Sequence, residues 1–293
     1  MRKLLPIMLI AAAIAAGVYV GRVRYAREAK PVGPVLTVMF FDAGMGNAIV
    51  VKTPENNFMV VDPGPARSAD ALVRYLKDAG AKSLIILLSK PSADHTGAVS
   101  SLLDSFTVSK IVRGEYKVSS GTARRALSSA ADKGTSERVL AAGDGFNLSP
   151  TTRLEVLSPP KGLLKNTSAY SDDNSLVTRI QFGEKRFMLA SDIRLEAEAS
   201  LIKSDIDLRS NVLVVPRHAR YGGTSLEFLS VVRPEAYVVL FDRNAYRPSK
   251  SVLKRIDTRN TGAAVYRTDM DGTIEMITDG RSIKVNTNGN YGD

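Results

Sequence analysis

Runs of apolar and β-branched residues, each four to eight long and bounded by Gly, Pro, Asn or Asp, recur from residue 35 to residue 285 and predict a strand-rich domain with a smaller set of helices. Residues 35–41, 48–52 and 57–61 alternate like strands and are separated by a Gly-rich turn and by Pro54-Glu55-Asn56, so the fold opens on a meander. Leu72, Tyr75 and Leu76 share a helical face within 69–79, and Gly80 is placed to end that helix. Residues 83–88 then form a short apolar strand. Further helices are predicted over 122–132, 196–203, 225–232 and 250–257, and strands over 153–157, 175–182, 186–190, 212–215 and 236–241. Residues 264–267, 272–277 and 282–285 read as a closing β-meander with Asp271-Gly272 and Asp279-Gly280 as its turns. No sequence repeat is evident. Strand runs broken by helices in two successive halves fit an α+β architecture, a sandwich of two mixed sheets with outer helices.

Ahead of this domain, Leu4 to Val20 is a continuous apolar run, with Arg2 and Lys3 before it and Arg22, Arg24 and Arg27 after it. Its length is at the short limit for crossing hydrocarbon, which leaves an uncleaved anchor or a cleaved signal segment. The length of the run and the arginines just beyond it favour the anchor, with an extracytoplasmic soluble domain; secretion after cleavage is the alternative. The predicted organisation is therefore a membrane segment over 1–30, a linker over 31–34 and one domain over 35–287. Half of the formal net charge of +10 lies in residues 1–30, so the domain itself is only modestly basic. That balance permits a polyanionic partner such as nucleic acid or a nucleotide without requiring one. Cysteine is absent, so any transition metal must be held by His and carboxylates.

The candidate chemistry concentrates in Lys90-Pro91-Ser92-Ala93-Asp94-His95-Thr96-Gly97, which follows directly on the 83–88 strand. His95 and His218 are the only histidines in the chain, too few for a two-ion site rich in imidazole. Each of these residues also has a structural role open to it: Asp62 and Asp94 as turn-holding carboxylates that accept backbone N–H bonds, and His95 as a satisfied cleft histidine donating to a carboxylate such as Asp192.

Several segments resemble the metallo-β-lactamase-like domain of the ComEC/Rec2 competence proteins. Phe41-Asp42-Ala43-Gly44-Met45-Gly46-Asn47-Ala48 is similar to that family's opening motif, and Val60-Val61-Asp62-Pro63-Gly64 to its second strand end. Asp173-Asn174-Ser175-Leu176-Val177, Met188-Leu189-Ala190-Ser191-Asp192, Val215-Pro216-Arg217-His218 and the closing region from Val232 to Gly280 continue the likeness across 35–280. The resemblance implies an αββα fold with metal in a cleft at one edge of the sandwich, where a divalent ion, Zn or Mn, assists phosphodiester hydrolysis. It assigns Asp94, His95, Asp192 and His218 as the surviving ligands, Asp94 and His95 as catalytic, and Asp42 and Asp62 as structural motif residues.

The departures from that family are equally informative. In the His-x-His-x-Asp-His frame, Lys90 and Ser92 replace two ligands, Arg217 replaces one of a pair of histidines, and Arg247 stands where His is common. A protonated Lys or Arg cannot ligate an ion. Three functional readings follow. In the first, the metal site is degenerate, and Lys90, Arg217 and Arg247 bind an anionic ligand such as nucleic acid without catalysis or with weak activity. In the second, one ion remains and the chain is a phosphodiesterase-type hydrolase. In the third, the chain is a structural subunit of an envelope complex. Whether Arg217 or His218 occupies the ligand position is left open by the sequence.

Overall fold

The patterned segments form the expected elements in a computed structural model that describes residues 33–44, 46–241, 248–259 and 262–288. Leu36–Phe40 (β1), Ile49–Lys52 (β2) and Phe58–Val61 (β3) pair antiparallel in succession. Helix α1, Ala69–Asp78, then crosses over so that Ser83–Leu88 (β4) lies parallel to β3. Thr107–Gly114 (β5) and Ser136–Leu140 (β6) extend the parallel half. Between them lie α2 (Ala93–Thr96), α3 (Val99–Ser105) and α4 (Gly121–Asp132). Ser120 opens α4 by accepting the Ala123 N–H, a side-chain cap on an otherwise unpaired donor.

The second sheet repeats this plan without repeating the sequence. Gly145–Asn147 (β7), Thr152–Ser158 (β8), Val177–Phe182 (β9) and Lys185–Leu189 (β10) are antiparallel. Val212–Val214 (β11), Ala236–Val239 (β12) and Ala264–Arg267 (β13) then run parallel to β10. Their crossovers carry α6 (Leu195–Ile202), α7 (Leu226–Val232) and α8 (Lys250–Arg259), and a short helix α5 (Tyr170–Asp173) precedes β9. Both sheets bury both faces, which explains the near-continuous apolar runs of β3, β4 and β11. Val38, Phe40, Met59, Val61, Leu189 and Val214 fill the layer between the sheets; Val60, Leu72, Leu76 and Ile86 pack under the helices of the first sheet, and Leu201, Leu213, Phe228 and Tyr237 under those of the second. Each such fully buried side chain contributes roughly 1.5–3 kcal/mol by leaving water.

Among the described residues, the closing meander is the predicted element that the structure overturns. Ala264–Arg267 pairs parallel with β12 in the second sheet, while Thr273–Thr278 (β14) and Ile283–Asn288 (β15) form a hairpin on β1 in the first. Asp271-Gly272 is not a hairpin turn but the end of a helical turn, α9 (Thr268–Asp271), which carries the chain from one sheet to the other. Thr268 Oγ1 anchors this crossing by accepting from Phe241 N and donating to Phe241 O. Asp279-Gly280 does turn a hairpin: Asp279 Oδ1 accepts the N–H groups of Arg281 and Ser282, and Gly280 takes φ +89°. Among the described residues no helix is long and apolar enough to cross a membrane. The run from Leu4 to Val20 and Arg247 lie outside the described residues.

Candidate metal centre

Parallel strands joined by helical crossovers deliver all their carboxyl ends to one edge of a sheet, and both parallel halves of this sandwich open at the same edge. Asp62 follows β3, Ser89 and Lys90 follow β4, Ser191 and Asp192 follow β10, a 3-10 turn Pro216–Ala219 follows β11, and Leu240 follows β12. Asp94 and His95 sit in the first turn of α2. Two glycines let the chain close around that turn: a Cβ on Gly46 would lie 2.2 Å from the Asp94 carbonyl oxygen, and one on Gly97 would lie 2.4 Å from Ala66 N.

His95 is fully buried. Its Nδ1 lies 2.9 Å from Asp62 Oδ2, a carboxylate oxygen that accepts the imidazole N–H. Asp62 is itself held, with Oδ1 accepting Ser89 N at 2.7 Å and Oδ2 accepting Ser89 Oγ at 2.5 Å, and Ser89 Oγ continues to Ser191 Oγ at 2.6 Å. This fixes the ring so that Nε2 faces the cleft, 3.5 Å from Asp192 Oδ2 and 3.9 Å from Asp94 Oδ2, with no hydrogen-bond partner. Burial disfavours the charged imidazole, but Asp62 and Asp192 outweigh it and hold the His95 pKa well above its ordinary value.

His218 answers from the other sheet. A carbonyl oxygen only accepts, so the 2.8 Å contact between His218 Nδ1 and Leu240 O places a proton on Nδ1, and in the neutral ring Nε2 carries the lone pair. Nε2 lies 3.9 Å from Asp192 Oδ1, a buried oxygen that also has no hydrogen-bond partner. Ligand atoms of Asp94, His95 and His218 lie within 4.8 Å of one another. Two oriented imidazoles, an exposed-edge carboxylate and a buried carboxylate with an open oxygen form a donor set that fits a single divalent ion, each imidazole carrying the outer hydrogen bond that such ligands need.

Beside this cluster, Lys90 Nζ lies 2.5 Å from Asp172 Oδ1 and 2.7 Å from Asp192 Oδ2. Burial opposes the ammonium charge, yet Asp192 and Asp172 raise its pKa. Asp192 is held well below the usual carboxylate range: burial works against its charge, and His95, Lys90 and His218 more than offset it. Arg217 turns away from the imidazoles, with Nη1 donating to Tyr221 O at 2.5 Å and Nε 3.5 Å from Asp172 Oδ2. Of positions 217 and 218, it is His218 whose ring faces the cluster. The backbone explains how: Arg217, His218 and Ala219 take φ of 53°, 56° and 57° in succession, and Asp62 and Ser191 take 49° each. Left-handed non-glycine residues cost on the order of 1–3 kcal/mol apiece and gather where side chains must be aimed.

Of the sequence-derived candidates, Asp94, His95, Asp192, His218, Lys90, Arg217 and Asp62 converge on this edge. Asp42 lies at the same end without joining the cluster; its N–H donates to Thr273 Oγ1 and its Oδ1 accepts from Gly44 N at 3.4 Å. His95 donates through Nδ1 to Asp62, while its Nε2 lies 3.5 Å from Asp192 Oδ2. Asp172 went unnoticed in the sequence, although two cations placed at former ligand positions demand a nearby anion once buried.

The fold is that of a metallo-beta-lactamase sandwich: residues 41–241 match the metallo-beta-lactamase superfamily, and the chain belongs to it. Among its relatives, ComE operon protein 3 of Bacillus subtilis (strain 168) is 25% identical over 260 residues, covering 81% of this chain and 32% of that protein. Competence protein ComA of Neisseria gonorrhoeae is 29% identical over 263 residues, covering 87% of this chain and 34% of its own length. Both are ComEC-family proteins, and the chain spans about a third of their length. Among solved structures, Igni18, a metallo hydrolase from the hyperthermophilic archaeon Ignicoccus hospitalis KIN4/I, superposes with TM-score 0.55 at 17% identity over 82% of this chain and 98% of its own. A long form RNase Z from yeast gives TM-score 0.52 at 8% identity over 89% of this chain and 50% of its own. These structural likenesses concern the fold alone.

Proposed function

We propose that the chain seats one divalent ion, Zn or Mn, among Asp94, His95, Asp192 and His218 and acts as a phosphodiesterase-type hydrolase. The observation that carries this reading is the pair of buried, unpartnered atoms, His95 Nε2 and Asp192 Oδ1, facing a His218 Nε2 whose tautomer is set by Leu240. When bound, the ion supplies positive charge for the attacked phosphoryl group and a water of lowered pKa. The chain's own residues do the positioning: Asp62 and Ser89 aim His95, Leu240 aims His218, and Ser175 Oγ accepts the Asp192 N–H at 3.3 Å. The reading as a non-catalytic anion seat has less support, because Arg217 is engaged by Tyr221 O and Asp172, and Lys90 gives two of its three N–H donors to Asp172 and Asp192, which leaves one for an anion.

Elemental analysis after purification tests this. Up to one equivalent of Zn or Mn is expected per chain, with metal-dependent hydrolysis of bis(p-nitrophenyl) phosphate, and Asp192→Ala should lose both. Metal content unchanged in that variant would place any ion elsewhere. We further propose that residues 4–20 anchor the domain to a membrane; β1 starts at Leu36, at the end of the sandwich opposite the cleft, so the anchor would attach there. Intact mass of the membrane-extracted chain should retain this segment, and a soluble form beginning near Gly17 would reverse the proposal.

A further inference from the structure

Lys90 occupies the first of the two altered ligand positions, yet its side chain has not been expelled to solvent: it is 13% exposed and bonded to two carboxylates. Asp192 is divided between two neighbours. Oδ2 binds the ammonium, while Oδ1 faces His218 without a hydrogen bond. A carboxylate so divided is set to bridge two positive centres, one of which is covalently part of the chain. Asp172 completes the seat from α5, with Arg217 behind it at 3.5 Å. An ammonium has three N–H donors, and Asp172 and Asp192 use two.

On the single-ion reading above, we propose that Lys90 is the resident substitute for one ion of a two-ion cleft: its ammonium excludes a second divalent ion, bridges through Asp192 to the first, and offers its remaining N–H to an oxygen of an anionic substrate. A lysine ammonium is a compact point charge that cannot dissociate from the site, whereas it cannot generate a nucleophile from water as an ion does. The cleft would therefore keep two positive centres, one of them with a single charge, while depending on one for metal.

Native mass spectrometry of the full chain titrated with Zn or Mn alone gives a readout independent of activity. The wild type should take one ion, and Lys90→His with Ser92→His should take two, because imidazoles accept an ion where the ammonium repels it. One ion in both folded proteins overturns the role of Lys90 and leaves the single-ion site intact; two ions in the wild type overturn it directly. If the wild type takes none, the hydrolase reading fails and the bridging role of Lys90 fails with it. Orthophosphate binding at saturating metal supplies a second measurement: Lys90→Met should weaken it about tenfold or more, the loss of one charged hydrogen bond, while Lys90→Arg retains the single-ion stoichiometry. Equal phosphate affinity in wild type and Lys90→Met counts against the proposal.

Discussion

Buried charges that answer one another govern this cleft at the residue scale. In Lys90→Met the side chain keeps its length but Asp172 and Asp192, 20% and 9% exposed at their side chains, lose their cation. Breaking a buried pair from one side costs about 3–5 kcal/mol, so the thermal midpoint in EDTA should fall markedly, and Lys90→Arg should recover much of the loss. An unchanged midpoint would mean that the two carboxylates are solvated or protonated without Lys90. Asp62 makes the complementary case. It touches no candidate ion but holds the His95 ring and the Ser89 backbone together. Asp62→Asn presents an amide N–H to one of the donors it now accepts, so His95 loses its aim, and Zn affinity should drop by about 10–100-fold with the fold retained. Calorimetric Zn titration of the folded variant measures this directly, and a wild-type affinity would reduce Asp62 to a turn-holding residue.

Among elements, what the pattern of residues reveals depends on whether the element reports on itself or on a distant partner. β4 reads from its own apolar run, and α1 from the spacing of Leu72 and Leu76. β6 does not, because as an edge strand it exposes Ser136 to Val139 and carries no apolar alternation. β13 reads as a strand, but its sheet is decided by a parallel pairing reached through α8, which local residues do not encode. The site divides the same way. The substitutions at Lys90 and Ser92 are plain in the motif, whereas Asp172 matters only through contacts made 82 residues away, and the choice of His218 over Arg217 depends on three left-handed residues in a row. The loop after His218 is fixed by an element that no motif marks: Glu198 on α6, fully buried, accepts the N–H groups of Thr224 and, at 2.8 Å, Ser225 where α7 begins. Glu198→Ala should cost roughly 3 kcal/mol by stranding two buried donors. Burial pushes the Glu198 carboxyl above its ordinary value against the pull of Ser225 and Thr224, so the folded chain holds that proton more tightly than the unfolded chain. Its contribution is greatest below the unfolded pKa of about 4.3 and declines as pH rises through the raised value. The urea midpoint of the wild type relative to Glu198→Gln should therefore fall as pH rises above about 4.3, and a difference that does not fall would show that the folded carboxyl is not raised.

For the molecule as a whole, the two sheets are tied together at both ends: Ser89 Oγ meets Ser191 Oγ at 2.6 Å beside the metal cluster, and a second tie lies at the opposite end. Gly183 lies in the turn between β9 and β10, at the end of β10 opposite Asp192, and takes φ +57°. A Cβ there would lie 2.9 Å from both Cα and the carbonyl oxygen of Gly280, the turn between β14 and β15 in the facing sheet. Glu184 N donates to that same carbonyl at 2.8 Å, so the contact is a backbone-to-backbone pin between sheets. Backbone cannot yield as a flexible side chain would, and the left-handed φ adds its own cost for any L side chain. Gly183→Ala should thus destabilise the fold by about 1–3 kcal/mol. Because the pin and the metal cluster lie at opposite ends of β10, distant sites are expected to act independently, and the variant should keep the wild-type metal stoichiometry and affinity while its thermal midpoint falls. Loss of the ion in parallel with stability would instead mean that closing the sandwich at Gly183 sets the spacing of His95 and His218 at its opposite end.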